Sequence, residues 1–153
     1  MRSPGQDRAV SAFMARGGAF VVGQVLLLFL IGLSGARSGR RGSVLGLALM
    51  LAGGALGLRG GRNLTPLPEP LPGGHLVTGG AYSVVRHPIY AALLLAAVGW
   101  GVYRGSGVAL GWTAALGVLF HFKADHEEAA LLGRFPEYAA YRARVRRFIP
   151  GLY

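Results

Sequence analysis

The sequence predicts an all-α integral membrane fold, with about four transmembrane helices followed by a C-terminal amphipathic helix. Three observations carry this expectation. Of 153 residues, 52% are hydrophobic, and the mean hydropathy is +0.44. Only 14% are charged, where a soluble domain carries about 25%. The apolar residues also gather into four runs, separated by Arg-, Gly- and Pro-rich stretches. A chain of this length makes one domain. It contains no cysteine, which excludes disulfides, thiolate metal sites and a Cys nucleophile.

The first run, Gly17 to Leu33, is free of charge and includes Leu26-Leu27-Leu28-Phe29-Leu30-Ile31. At about 1.5 Å per residue it reaches roughly 25 Å, near the lower limit for a span. It has no polar face, which argues against a water-soluble helical bundle. Arg2, Arg8 and Arg16 precede it and Ser34-Gly35-Ala36 follows, so a signal peptide is the rival reading. Three further apolar runs favour a first membrane helix. They are Ser43 to Leu58, Ile89 to Tyr103 and Gly107 to Phe122. Each is short, and flanking Tyr, Trp or snorkelling Arg extends it. The pairs Gly42/Gly46, Gly53/Gly57 and Gly107/Gly111 have the small-xxx-small spacing that lets helices approach closely in lipid.

The formal charge is +10, from 16 Lys and Arg against 6 Asp and Glu, and Lys123 is the single lysine. Such Arg-rich, Gly-rich usage suggests a GC-rich bacterial genome. Basic balance alone fits nucleic acid, but in so apolar a chain it reads as positive loops beside an anionic leaflet. No nucleic-acid partner is expected. With the N-terminus inside, 12 Lys and Arg fall on the inner side and 4 on the outer (Arg37, Arg40, Arg41 and Arg104). That bias predicts a bacterial inner membrane protein whose second inner loop and C-terminal part face the cytoplasm.

Between the second and third runs, Pro66, Pro68, Pro70 and Pro72 forbid a regular helix and favour an extended strap, or a plain spacer. After the fourth run, Leu131, Leu132, Phe135, Tyr138, Tyr141 and Val145 recur every three to four residues, with Arg134, Arg142, Arg144, Arg146 and Arg147 among them. This pattern predicts an amphipathic helix on the membrane surface, with Pro136 near a start or break.

The most informative stretch is Gly80-Ala81-Tyr82-Ser83-Val84-Val85-Arg86-His87-Pro88-Ile89-Tyr90. Arg and His at the mouth of an apolar helix are costly unless they bind something or reach water. A second polar cluster, His121 to Glu128, ends the next apolar run. Two such clusters at neighbouring helix ends predict a site. His121 and His126 are five apart and lie on different helix faces, so a metal site is not expected. No Gly-x-Ser-x-Gly or phosphate-loop pattern occurs. Trp100 and Trp112 read as belt or packing residues.

Taken in order, Leu76-Val77-Thr78-Gly79-Gly80-Ala81-Tyr82, Arg86-His87-Pro88-Ile89-Tyr90, Glu127-Glu128-x-x-Leu131 and Phe135 to Pro150 look like a known superfamily. Residues 60 to 150 resemble the integral-membrane methyltransferases that include isoprenylcysteine carboxyl methyltransferase and phospholipid N-methyltransferases. The resemblance implies an S-adenosylmethionine-dependent enzyme acting on a lipophilic or membrane-associated acceptor. By motif position, Gly74, His75, Leu76, Val77, Tyr82, His87, Tyr90 and Glu127 would bind S-adenosylmethionine. Arg86, Lys123 and Glu128 would be catalytic, as cations for a carboxylate acceptor or, for Glu128 or His126, as a base for an amine. Lys123 departs from the pattern of the carboxyl methyltransferases, which place an Arg there. The charge is kept and the bidentate fork is lost. A rival expectation is a non-catalytic membrane protein of the same fold that binds lipid or a partner. A small transporter is a third, weakened because the charges sit at helix ends and not mid-membrane.

Overall fold

The computed structural model describes residues 17–38, 42–61 and 76–153. Five α-helices are seen among them: α1 Ala19–Arg37, α2 Val44–Gly61, α3 Pro88–Arg104, α4 Gly107–Arg134 and α5 Tyr138–Arg144. The architecture is all-α, and α1, α2 and α4 are long and apolar enough to cross a membrane. The helix α3 is equally apolar but has 17 residues. The Pro-rich strap, Gly74 and His75 lie outside the described residues.

The four long helices run up and down. Gly60 of α2 meets Pro88 at the start of α3, and Gly46 meets Tyr103 near its end. Likewise, Gln24 near the start of α1 bonds Lys123 of α4, and Ser34 near its end bonds Ser106 ahead of α4. Exposed apolar side chains cover the flanks of these helices, among them Val25, Phe29, Leu45, Leu51, Val108 and Val118. Exposed apolar surface of this extent suits a lipid solvent, which explains why the sequence shows no polar helix face. Inside the bundle Ile31, Ala97, Ala109, Leu116, Phe120, Ala124 and Phe148 form the core.

Glycine sets the closest approach: of the expected pairs Gly53/Gly57 faces Ala92, and the tightest contacts follow a longer repeat. Gly46, Gly53 and Gly60 are the buried residues of α2 and recur every seven positions. A Cβ on Gly46 would stand 2.4 Å from the Tyr103 nitrogen, and one on Gly53 2.7 Å from the Ala92 oxygen. Gly99 of α3 answers from the other side, 2.7 Å from the Met50 nitrogen by the same construction. Among the described residues, a Cβ on Gly107 or Gly111 would meet nothing within 4 Å. The seam therefore follows a heptad along α2, because seven residues make close to two helical turns and return to nearly the same face.

The far end of the bundle is closed by Arg104. Its Nε donates to the Gly35 carbonyl at 2.8 Å and its Nη2 to the Ala36 carbonyl at 2.7 Å. These carbonyls belong to the last turn of α1, where acceptors lack helical partners and a cation is favoured. Gly105 then turns the chain in the left-handed region (φ 58°), and Ser106 caps α4 by accepting from the Ala109 N–H at 3.2 Å.

The C-terminal part departs from expectation. Lys123 to Arg134 does not start a surface helix; it prolongs α4 to 28 residues. Ala, Glu and Leu dominate this stretch, and nothing in it breaks a helix. The break comes at Phe135, extended at φ −121° and ψ 103°, because Pro136 disfavours the helical region for the residue before it. Only Tyr138–Arg144 remains as a short α5. Beyond it the chain runs back along the mouth of α3, where Val85 and Arg146 form an isolated parallel bridge.

Candidate functional site

The polar cluster is assembled by three features of local chain geometry. Pro88 opens α3 at a position that needs no N–H, and His87 stands just before it in a non-helical conformation. A short 3-10 turn, Gly80–Ser83, carries Tyr82 into the same region. The returning C-terminal segment is then held by the chain itself. The Arg86 N–H donates to the Arg146 carbonyl at 2.7 Å, and the His87 N–H to the Arg147 carbonyl at 3.1 Å. The Tyr141 hydroxyl donates to the Tyr82 carbonyl at 2.6 Å.

Glu128 is the hub. It is 1% exposed, and four side chains from three parts of the chain converge on it. Arg86 Nε donates to Oε1 at 3.0 Å, and His87 Nε2 lies 3.0 Å from the same oxygen. Arg147 donates through Nε to Oε1 and through Nη2 to Oε2, both at 3.1 Å. Arg142 Nε stands 3.4 Å from Oε2. Arg86 also donates through Nη1 to the carbonyls of Arg142, at 3.2 Å, and Val145.

Glu127, one residue earlier, faces a different set. It accepts from the Tyr90 hydroxyl, and its Oε2 lies 3.6 Å from His87 Nδ1. The Tyr90 ring stacks on His87 (5.3 Å, 2°) and on Phe120 (4.4 Å, 14°). Lys123 Nζ stands 4.9 Å from the Tyr90 ring centre and donates to Gln24 Oε1 at 3.0 Å. His87 thus bridges the two carboxylates, one to each ring nitrogen.

The apolar part of α4 ends at Phe122, so both carboxylates lie past the spanning segment. Their environments push them apart. Burial raises the Glu127 pKa, and the Tyr90 hydrogen bond and the charges of His87 and Lys123 only partly offset it. Burial acts on Glu128 in the same direction, but hydrogen bonds from His87, Arg147 and Arg86 outweigh it and hold the carboxyl at about 2. Glu128 is a fixed, neutralised charge. Glu127 is the carboxyl from which a proton or a cation is exchanged at least cost. Burial also pushes the Tyr141 hydroxyl up to about 12.

Of the residues expected to form a site, Arg86, His87, Tyr90, Lys123, Glu127 and Glu128 come together. Tyr82 approaches through the 3-10 turn and feels the Glu127 charge. Leu76 and Val77 precede that turn and are half-buried. His126 packs its ring 5.9 Å from that of Phe20, and its charge acts on Glu127. His121 pairs with Asp125 at 3.4 Å and with the Tyr153 hydroxyl at 2.5 Å. Three polar members stand outside the expected set: Arg142 and Arg147, which the spacing assigns to a surface helix, and Gln24, which lies in an apolar run. The signal for Gln24 was its presence as the sole amide in a charge-free span; for Arg147 it was an arginine placed against Phe148. Chemically, Glu127, the Tyr90 hydroxyl and the stacked rings make a face suited to a cationic or zwitterionic small molecule.

No protein-family model matches the chain. One curated relative is the cobalt-zinc-cadmium resistance protein CzcN of Cupriavidus metallidurans, 38% identical over 81 residues. The match covers 50% of this chain and 36% of that protein, so the chain spans about a third of the relative's length. This finding overturns the reading taken from the ordered motifs. Membership of the isoprenylcysteine carboxyl methyltransferase superfamily, S-adenosylmethionine-dependent methyl transfer and an enzymatic role are corrected by a relative that bears a metal-resistance name. The geometry gives a physical reason why those motifs recur without that assignment. Arg86 and Glu128, expected to be catalytic, spend their polar atoms on each other and on the C-terminal segment. A motif that holds one segment of the chain against another keeps the same residue types.

Proposed function

We propose that the chain is a membrane component of divalent-metal resistance that works through its polar cluster without itself coordinating the metal. The observation that carries this reading is the 38% identity to CzcN over 81 residues. The second half of the reading rests on charge. Glu128 is enclosed by Arg86, Arg142 and Arg147, and the chain's net charge is +10. Positive surroundings oppose a dication, and a carboxylate committed to guanidinium groups has no lone pairs to offer one. The Arg and Lys asymmetry of the sequence supports a cytoplasmic-facing cluster in a bacterial inner membrane.

Deleting the coding sequence from its host and restoring it on a plasmid tests the proposal. Growth in graded cobalt, zinc and cadmium is the readout. Tolerance to at least one metal falls on deletion and returns with the intact chain. Unchanged tolerance to all three contradicts the reading.

A small-molecule ligand at the Glu127 face belongs to the same proposal. S-adenosylmethionine, a zwitterion with a sulfonium cation, is the first to measure, as a ligand only. Calorimetry in detergent with the intact chain and with Glu127→Gln decides it. Heat that disappears in the variant supports that ligand, and no heat removes it.

A further inference from the structure

The C-terminal segment does not stop at the cluster. After Arg147 it turns back toward the bundle, and Phe148 packs 5.9 Å from His87 and 6.4 Å from Tyr90. The turn is closed by the Tyr153 carbonyl, which accepts from the N–H groups of Phe148 at 2.8 Å and Ile149 at 2.6 Å. The Tyr153 hydroxyl reaches His121 Nδ1 at 2.5 Å, and the two rings stack 6.2 Å apart. His121 belongs to the last apolar turn of α4, next to Phe122, which is 58% exposed. Residues 148–153 therefore sit at the level where the span of α3 begins and that of α4 ends, which is the depth of the headgroups.

At that level the segment presents two kinds of exposed side chain. Ile149 is 50% exposed and Leu152 75%. Arg144 and Arg146 are exposed just ahead of them. From Arg134 to Tyr153 there are five arginines and one acidic residue, Glu137. Arg147 and Arg142 are drawn toward Glu128, which leaves Arg144 and Arg146 to face outward. Adjacent cations and apolar tips at headgroup depth are complementary to an anionic leaflet.

We propose that residues 144–153 form an interfacial collar that recognises anionic phospholipid. Arg144 and Arg146 bind the phosphate groups, and Ile149 and Leu152 enter the acyl boundary. The pairing explains why an exposed apolar tip is stitched to His121 by Tyr153, since insertion needs a fixed depth. It also ties lipid composition to the cluster, because Arg146 and Arg147 are neighbours on the same extended strand along Val85 to His87.

The absence of cysteine permits a direct test. A nitroxide is attached to Leu152→Cys in the full chain, reconstituted in bilayer discs of phosphatidylcholine alone or with phosphatidylglycerol. Collision with a water-soluble relaxant reports exposure. Protection rises several-fold with phosphatidylglycerol, falls as salt is raised, and is lost in Arg144→Gln/Arg146→Gln. Equal accessibility in the two lipids overturns the proposal, and so does protection that persists in the double variant. Protection that requires an added acidic protein, whatever the lipid, overturns it too.

Discussion

Arg147 and Glu128 meet through two parallel hydrogen bonds, Nε to Oε1 and Nη2 to Oε2, each 3.1 Å long. Both side chains are nearly sealed from solvent, at 8% and 2% exposure. This fork fastens the returning C-terminal segment to α4, while Arg86 and His87 fasten α3 to the same carboxylate. One acidic side chain thereby joins three parts of the chain.

Removing that carboxylate leaves two guanidinium groups buried with no counter-charge. Glu128→Ala is expected to destabilise the protein by about 3–5 kcal/mol, the range for breaking a buried ion pair from one side. Thermal unfolding in detergent, followed by tryptophan fluorescence, checks this. A melting temperature equal to that of the intact chain would contradict the hub role.

Acid should act through the same group. The folded pKa of Glu128 is depressed to about 2, below the roughly 4.3 of an unfolded glutamate. Its contribution is therefore complete above about pH 4.3 and is lost as pH falls from there toward 2. Denaturant midpoints measured between pH 6 and pH 3 should fall in the intact chain, and fall less steeply in Glu128→Gln. Parallel slopes would assign the acid sensitivity elsewhere.

The glycine seam offers a paired comparison. Gly53→Val forces a side chain against the Ala92 carbonyl and Ala96, and overpacking of this kind costs about 1–3 kcal/mol. Gly54→Ala enters open space and should be neutral or stabilising by about 0.5–1 kcal/mol through helix propensity. Unfolding curves of the two variants decide whether α2 and α3 touch at the heptad positions.

At the opposite end, Arg104→Gln withdraws donors from the Gly35 and Ala36 carbonyls. Leaving buried acceptors unpaired costs about 1–3 kcal/mol. Hydrogen exchange should quicken in the last turn of α1 and stay unchanged at Glu128. Uniform quickening would mean that Arg104 supports the whole bundle.

The sequence made much of this architecture legible. Four apolar runs became α1 to α4, because hydropathy over a span is a sum and tolerates local error. Arg86, His87, Glu127 and Glu128 were found because charge at an apolar helix mouth is costly and stands out. The course of the chain after Phe122 was less legible. The three- to four-residue spacing of Leu131 to Val145 fits one helix as well as two, and only the Pro136 boundary separates them. Arg147 lies 19 residues from Glu128 and Gln24 lies 99 from Lys123, and no local pattern records such distances. Of the small-xxx-small pairs, Gly53/Gly57 both face Ala92 of α3, while Gly42 and the Gly107/Gly111 pair meet nothing within 4 Å, and the closest contacts fall on Gly46, Gly53 and Gly60 as a heptad. The ordered motifs from Leu76 to Pro150 led furthest astray, because residues that hold two chain segments together and residues that serve a reaction can be the same types.

Zinc, cobalt and cadmium tolerance of cells carrying Glu128→Gln, compared with the intact chain at equal membrane abundance, tests the central claim most directly. The Gly54→Ala variant, in open space on α2 and away from the cluster, controls for expression and insertion. If the cluster carries the function, tolerance with Glu128→Gln falls toward that of the deletion while the control stays near the intact level. Full tolerance with Glu128→Gln would contradict the account.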